Sequence, residues 1–218
     1  ERRLAGYKLA LTMCDGSATT NVAHDATTKR GGCNSHARSK VVEALRGGDA
    51  RAIECIEMYA QLFAIEAESK RRRESYEQRH ERRQRESVPI VERLRAWVGE
   101  RLDDVEPKSA LGQAVRYLHR QWARLTLFLT EGALEMTNNA AERLLRTLVI
   151  DRKTWLFVGS DESAQRTADA LTILMTCRQM RIEPRRYLRD TLRRILDGVR
   201  DLSVLLPENY VPLATPLR

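Results

Sequence analysis

Two carboxylates in this chain stand where they could do chemistry. Asp15 follows the apolar run Tyr-Lys-Leu-Ala-Leu-Thr-Met-Cys (Tyr7–Cys14) and precedes Gly16. Such a run reads as a buried strand closed by a turn, and a carboxylate at that point can face a cleft. Glu142 lies in Thr137-Asn138-Asn139-Ala140-Ala141-Glu142-Arg143-Leu144-Leu145-Arg146, which continues to Asp151-Arg152-Lys153-Thr154-Trp155-Leu156-Phe157-Val158-Gly159-Ser160. Amides come first, then a short helix with one carboxylate among arginines, then a basic-aromatic turn. That order suits a site holding a metal ion beside a phosphate backbone. Each carboxylate also has a plainer reading. Asp-Gly is a common turn. Asn139 as N-cap with Glu142 at the third helical position is a capping box, which satisfies backbone donors without any chemistry. Spacing alone leaves both readings open.

A third stretch, Gly31-Gly32-Cys33-Asn34-Ser35-His36-Ala37-Arg38-Ser39-Lys40, sets Cys33 and His36 three residues apart, on one face if helical. That is at most half of a zinc site, and no further soft ligand is spaced nearby. The four cysteines show no Cys-x-x-Cys pair, so neither a zinc ribbon nor a disulfide framework is supported, and a reducing, cytoplasmic setting fits. No apolar run approaches the roughly 20 residues a membrane span needs. Lys plus Arg number 38 against 30 Asp plus Glu, a formal charge of +8. This excess favours a polyanionic partner, nucleic acid above all, without fixing a sequence preference. The chain opens on Glu1 rather than Met, which reads as a start partway through a longer protein.

Helices must position these groups. Apolar residues recur at helical spacing through Val41, Val42 and Leu45, then, after Gly47-Gly48, through Ile53, Ile56, Tyr59, Ala60 and Phe63. The charged run from Glu66 to Ser87 reads as a solvated helix with Glu66/Lys70, Glu68/Arg72 and Glu81/Arg85 pairs. Pro89 opens a helix through Ile90, Leu94, Trp97 and Val98. After Pro107, Ser109 to Thr130 carries Leu111, Val115, Leu118, Trp122, Leu125 and Leu129 on one stripe, with Glu131-Gly132 as its stop. Asp161 or Ser163 can cap a following helix. Pro184 begins the last, with Tyr187, Leu188, Leu192, Ile195 and Leu196 expected inward, and a Pro-rich irregular tail follows.

The Asn138–Arg143 block with the Asp151–Ser160 block resembles the C-terminal catalytic signature of insertion-sequence-66-type transposases, roughly N-N-x-x-E-R followed by G-R-K-N-W-L-F-x-G-S. Asp151 stands where that family usually has Gly, and Thr154 where it has Asn. The Gly31–Lys40 stretch resembles the family's G-C-W-A-H-A-R-R-K. Asp15-Gly16-Ser17 resembles its D-G-Y step, with Ser17 replacing the aromatic. The resemblance runs from Tyr7 to about Asp197.

It implies a mainly α chain with a few strands, the C-terminal fragment of a ribonuclease-H-like α/β fold carrying a helical insertion. Residues 1–40 would be partial core, 41–136 the insertion, 137–200 core helices with the glutamate, and 201–218 a tail. An Asp-Asp-Glu set would hold Mg2+ or Mn2+, with Asp15 and Glu142 as two ligands and the first aspartate upstream of Glu1. The fragment alone would then be inactive. Arg38, Lys40, Arg143, Arg146, Arg152, Lys153 and Trp155 would meet DNA. Cys33, His36, Asn138 and Asn139 would shape the site. The partners implied are the element's terminal inverted repeats, target DNA and further copies of the protein, in a bacterial cytoplasm and at the nucleoid. A non-catalytic helical DNA-binding remnant is the competing reading, and a related nuclease or resolvase of the same fold a further one.

Overall fold

The computed structural model describes residues 11–14, 28–143, 146 and 159–213. The chain is mainly α-helical and divides into two compact units, Glu1–Ala140 and Ala141–Arg218.

In the first unit, two short strands, β1 (Leu11–Cys14) and β2 (Lys29–Gly32), pair in parallel with Cys14 opposite Gly32. Parallel neighbours need a crossover rather than a hairpin, and parallel sheets belong almost entirely to α/β proteins. Helix α1 (Asn34–Arg46) leaves β2 directly, with Cys33 at its N-cap, and ends at Gly47-Gly48, where Gly48 takes φ +93°. Helix α2 (Ala52–Arg71) follows, burying Ala52, Cys55, Met58, Tyr59 and Leu62.

The charged run is where sequence and structure part. It is not one solvated helix. Helix α2 stops at Arg71, and Arg73 turns the chain at φ +54°. Ser75 and Gln78 form a capping box for α3 (Tyr76–Arg82), and a π-helical turn (Arg83–Ser87) leads into α4 (Val88–Asp104). Arg79, Arg82 and Arg83 are buried, Arg83 completely. Of the expected pairs, Glu68–Arg72 forms at 2.5 Å. Glu66 instead pairs with Arg83, Lys70 with Glu135, and Arg85 with Glu86. Arg82 is held between Glu74 and Glu86, while Arg79 and Arg83 find acceptors at residues 66 and 128–135, long-range partners that a helical-wheel reading cannot show.

Helix α4 buries Val91, Leu94, Trp97 and Val98. Ser109 caps α5 (Ala110–Thr126), which runs into a 3-10 turn (Leu127–Leu129). The core joins α1, α2, α4 and α5 with Leu134 and Met136, and Leu11 and Met13 of β1 pack against it. A sixth helix, α6, begins at residue 139 and is described over 139–143 and at 146.

In the second unit, Ser160 rather than Asp161 or Ser163 is the N-cap of α7 (Asp161–Gln179). Glu183 caps α8 (Pro184–Leu196) by accepting from the amides of Arg185 and Arg186. Only Tyr187 and Asp190 of α8 are buried. Leu188, Leu192, Ile195 and Leu196, expected inward, are exposed. The tail takes the buried face instead, through 3-10 turns Leu202–Leu205 and Pro207–Asn209. Tyr187 donates to Leu205 O, and Asp190 accepts from Tyr210 Oη at 2.6 Å and from the Leu213 amide at 3.1 Å.

Candidate functional site

The β2–α1 corner bonds to the end of β1 and to Met136 within the first unit. The Cys33 amide donates to Cys14 O at 3.0 Å, and the next amide, Asn34, donates to Met136 O at 3.1 Å. Cys14 is the residue before Asp15; Met136 lies six before Glu142. Two successive N–H groups at one helix N-terminus therefore hold the end of β1 and the approach to α6. Both would otherwise be unsatisfied, because a helix leaves its first amides without intrahelical partners.

Asn34 itself is buried, 3% exposed. Its Nδ2 donates to Leu125 O at 3.0 Å and Met136 O at 3.2 Å, while Oδ1 accepts from Tyr59 Oη at 3.4 Å. Both amide hydrogens are thus used, as a buried amide requires. Next to it, Ser35 Oγ accepts from Asn139 Nδ2 at 3.1 Å. Asn139 thus occupies the first turn of α6 rather than preceding it, and Asn138 takes the flanking position.

Irregular backbone between α5 and α6 is held from the other side by the charged run. Arg83 places all five donors. Its Nε and Nη2 grip Glu66 at 2.7 Å each, Nη1 reaches Phe128 O at 2.7 Å and Glu131 O at 3.0 Å, and Nη2 reaches Leu134 O at 3.0 Å. Gln84 Nε2 donates to Leu129 O, and Arg79 Nη1 to Gly132 O and to Glu135. Gly132 has no room for a side chain, since a Cβ there would stand 2.0 Å from Tyr76 O. Sequence reading missed Asn34, Ser35, Glu66 and Arg83. A polar residue beside a recognisable block, and an acid 17 positions from its base, carry no local signal.

The remaining expected residues fall as follows. Glu142, Arg143 and Arg146 are exposed. Cys33 is wholly buried at the N-cap of α1, and His36 is half-buried in its first turn. Arg38 is half-buried, and Lys40 is exposed with its ammonium 5.0 Å from the Tyr117 ring centre, a cation–π contact. Asp15, Arg152, Lys153 and Trp155 lie outside the described residues. Among the described residues no three His, Cys, Asp or Glu side chains stand together as a metal group. No described helix is long and apolar enough to cross a membrane.

Comparison with known proteins adds a direct finding. Residues 1–166 match the family model described as the Transposase IS66 family. Three curated relatives come from Sinorhizobium fredii (strain NBRC 101917 / NGR234). The uncharacterized protein y4hP is 34% identical over 189 residues, covering 80% of this chain and 34% of that protein. The uncharacterized protein y4qI is 32% identical over 221 residues, covering 97% and 41%. The uncharacterized protein y4jD is 29% identical over 220 residues, covering 96% and 43%. The chain therefore spans 34–43% of the length of the curated relatives it matches. No solved structure matches it.

Proposed function

This chain belongs to the IS66 family of transposases, and from that premise we propose that the full-length protein cuts and joins DNA at the ends of a mobile element by metal-dependent phosphodiester hydrolysis and strand transfer. The observation that carries the reading is the family match over residues 1–166, which takes in the Asp15 segment and the Glu142 segment together. The parallel β1–β2 pair, ending one residue before Asp15, supports a ribonuclease-H-like α/β core. In this reading residues 1–40 are part of that core, 41–136 a helical insertion, 137–200 core helices, and 201–218 a tail.

Asp15 and Glu142 act as oxygen ligands for Mg2+ or Mn2+, completed by an aspartate upstream. Hard cations prefer carboxylate oxygen, so this donor set fits. When bound, a metal pair would activate the attacking water or 3′-hydroxyl and neutralise charge on the phosphate. Arg38, Lys40, Arg143, Arg146, Arg152 and Lys153 hold the DNA backbone, with Trp155 beside them. These contacts position the duplex without reading its sequence. Cys33, His36, Asn138 and Asn139 shape the surroundings. The partners are terminal inverted repeats, target DNA and further copies of the protein assembled on them, in the bacterial cytoplasm. Residues 1–218 alone are inactive for want of the upstream carboxylate.

The test is strand cleavage of element-end DNA by the full-length protein with Mg2+ or Mn2+. Asp15→Asn and Glu142→Gln each abolish cleavage and leave DNA binding in place; a variant that still cuts overturns the assignment. Arg152→Ala with Lys153→Ala flattens the salt dependence of binding, the slope falling by about 0.9 for each phosphate no longer neutralised. An unchanged slope removes that pair from the interface.

A further inference from the structure

The first turn of α1 does more than start a helix. Its contacts reach backwards to the strand before Asp15 and forwards to the residues that launch α6. The forward contacts are the notable ones. Asn34 gives both hydrogens of its side-chain amide to two carbonyls, Leu125 O and Met136 O, that bracket the irregular return from α5. Its backbone N–H goes to the second of these as well. Ser35 Oγ then takes the amide of Asn139, three residues before Glu142.

We propose that Asn34 and Ser35 are positioning residues for the transposition chemistry, fixing residues 136–139 to the β2–α1 corner so that α6 starts at a set place and rotation. The inference rests on the reading of Glu142 given above. Its physical basis is that α6 leaves a segment of irregular backbone, where no strand or helix ladder defines the path. A helix launched from such a segment is only as well placed as the bonds at its first turn. A side chain near a helix start also swings through about 100° for each residue of slippage, given 3.6 residues per turn. A carboxylate ligand tolerates far less than that, since functional groups must be held within about 0.5 Å.

Ser35 provides the cleaner probe, because it is half-buried, whereas Asn34→Ala removes three buried side-chain hydrogen bonds at once, to Leu125 O, Met136 O and Tyr59 Oη, and would destabilise the corner. The full-length protein is assayed for cleavage of element-end DNA across a Mn2+ titration, with thermal unfolding and DNA binding measured in parallel. Ser35→Ala is expected to lower the cleavage rate at saturating Mn2+ by about 3- to 10-fold, the range one net hydrogen bond supplies, and to move the Mn2+ midpoint upward. Ser35→Thr, which keeps the hydroxyl, restores both. Melting temperature and DNA affinity stay at wild-type values. Wild-type rate and Mn2+ midpoint in Ser35→Ala overturn the proposal, as does a rate loss matched by a fall in melting temperature. Glu142→Gln in the same assay separates the two claims. If it still cuts, the Glu142 reading fails and this one with it. If it is dead while Ser35→Ala is fully active, only the positioning role is wrong.

Discussion

Compare the charged run Glu66–Ser87 in the first unit with helix α8 in the second. The run is dense in Arg and Glu, yet Arg83 is completely buried and Arg79 and Arg82 nearly so. Helix α8 carries an apolar stripe, yet Leu192 is 59% exposed and Leu196 83%. Each inverts what its composition suggests, for opposite reasons. Arg83 is buried because the carbonyls of residues 128, 131 and 134 and the Glu66 carboxylate take its donors, Arg82 because it lies between Glu74 and Glu86, and Arg79 because Gly132 O and Glu135 accept from it. The leucines stay out because the tail packs on the other face of α8, drawn by Tyr187 and Asp190. Hydrogen-bond demand decides both cases, and hydrophobic pattern decides neither.

Breaking the buried cluster gives the largest expected effect. Arg83→Ala strands Glu66 at 6% exposure and takes the guanidinium donor from Phe128 O, Glu131 O and Leu134 O, of which Glu131 O keeps the Leu134 amide. Removing one partner of a buried ion pair costs about 3–5 kcal/mol. Denaturant unfolding followed by tryptophan fluorescence measures it. A loss below about 1 kcal/mol would mean that the cluster is wetter than its geometry implies. In the second unit the matching change is Asp190→Ala, which removes the acceptor for Tyr210 and the Leu213 amide. Hydrogen bonds to a charged group are worth about 1.5–3 kcal/mol. Amide exchange should speed up in residues 202–213 and not in α2.

The acid limb of stability sharpens the comparison further. Hydrogen bonds from Arg82 hold the Glu74 carboxyl at about 2, well below its ordinary value. A carboxyl depressed in the folded state contributes its full stability above the unfolded value, near 4.3, and loses it as pH falls towards the folded one. Glu74→Gln should therefore cost about 1 kcal/mol at pH 7, with the gap from wild type closing between pH 4.5 and about 2. A gap that persists unchanged at pH 2 would assign the effect to packing.

The limits of sequence reading follow from the same contrast. Helices α1, α2, α4 and α5 are legible because each buries a periodic stripe, and Gly47-Gly48, Pro89 and Pro107 mark their joints. The Asn138–Glu142 block and the Asp15-Gly16 step are legible as candidates through their resemblance to the family's signature, since spacing alone leaves a capping box and a common turn as readings. The bonds from the β2–α1 corner to Cys14 and Met136 are not legible. Asn34 bonds to residues 91 and 102 positions away, and Arg83 to residues 17 to 51 away. Periodicity describes one face of one element, whereas these bonds run between elements, to the C-terminal end of α5 and the irregular backbone that follows it, and to Glu66 of α2.

The smallest expected effect tests the other half of the comparison. Leu192→Gln keeps a good helix former and removes an apolar side chain from the exposed face of α8, so stability should change by no more than about 0.5 kcal/mol. Leu118→Ala, by contrast, empties a fully buried site in the first unit and should cost about 2–5 kcal/mol. Both are leucines at helical spacing, and only their surroundings differ. Should Leu192→Gln instead cost about 2 kcal/mol or more, well outside the surface range, the stripe of α8 is covered in solution. Analytical ultracentrifugation of that variant beside the wild type would then show whether a second copy provides the cover, because losing it would lower the sedimenting mass.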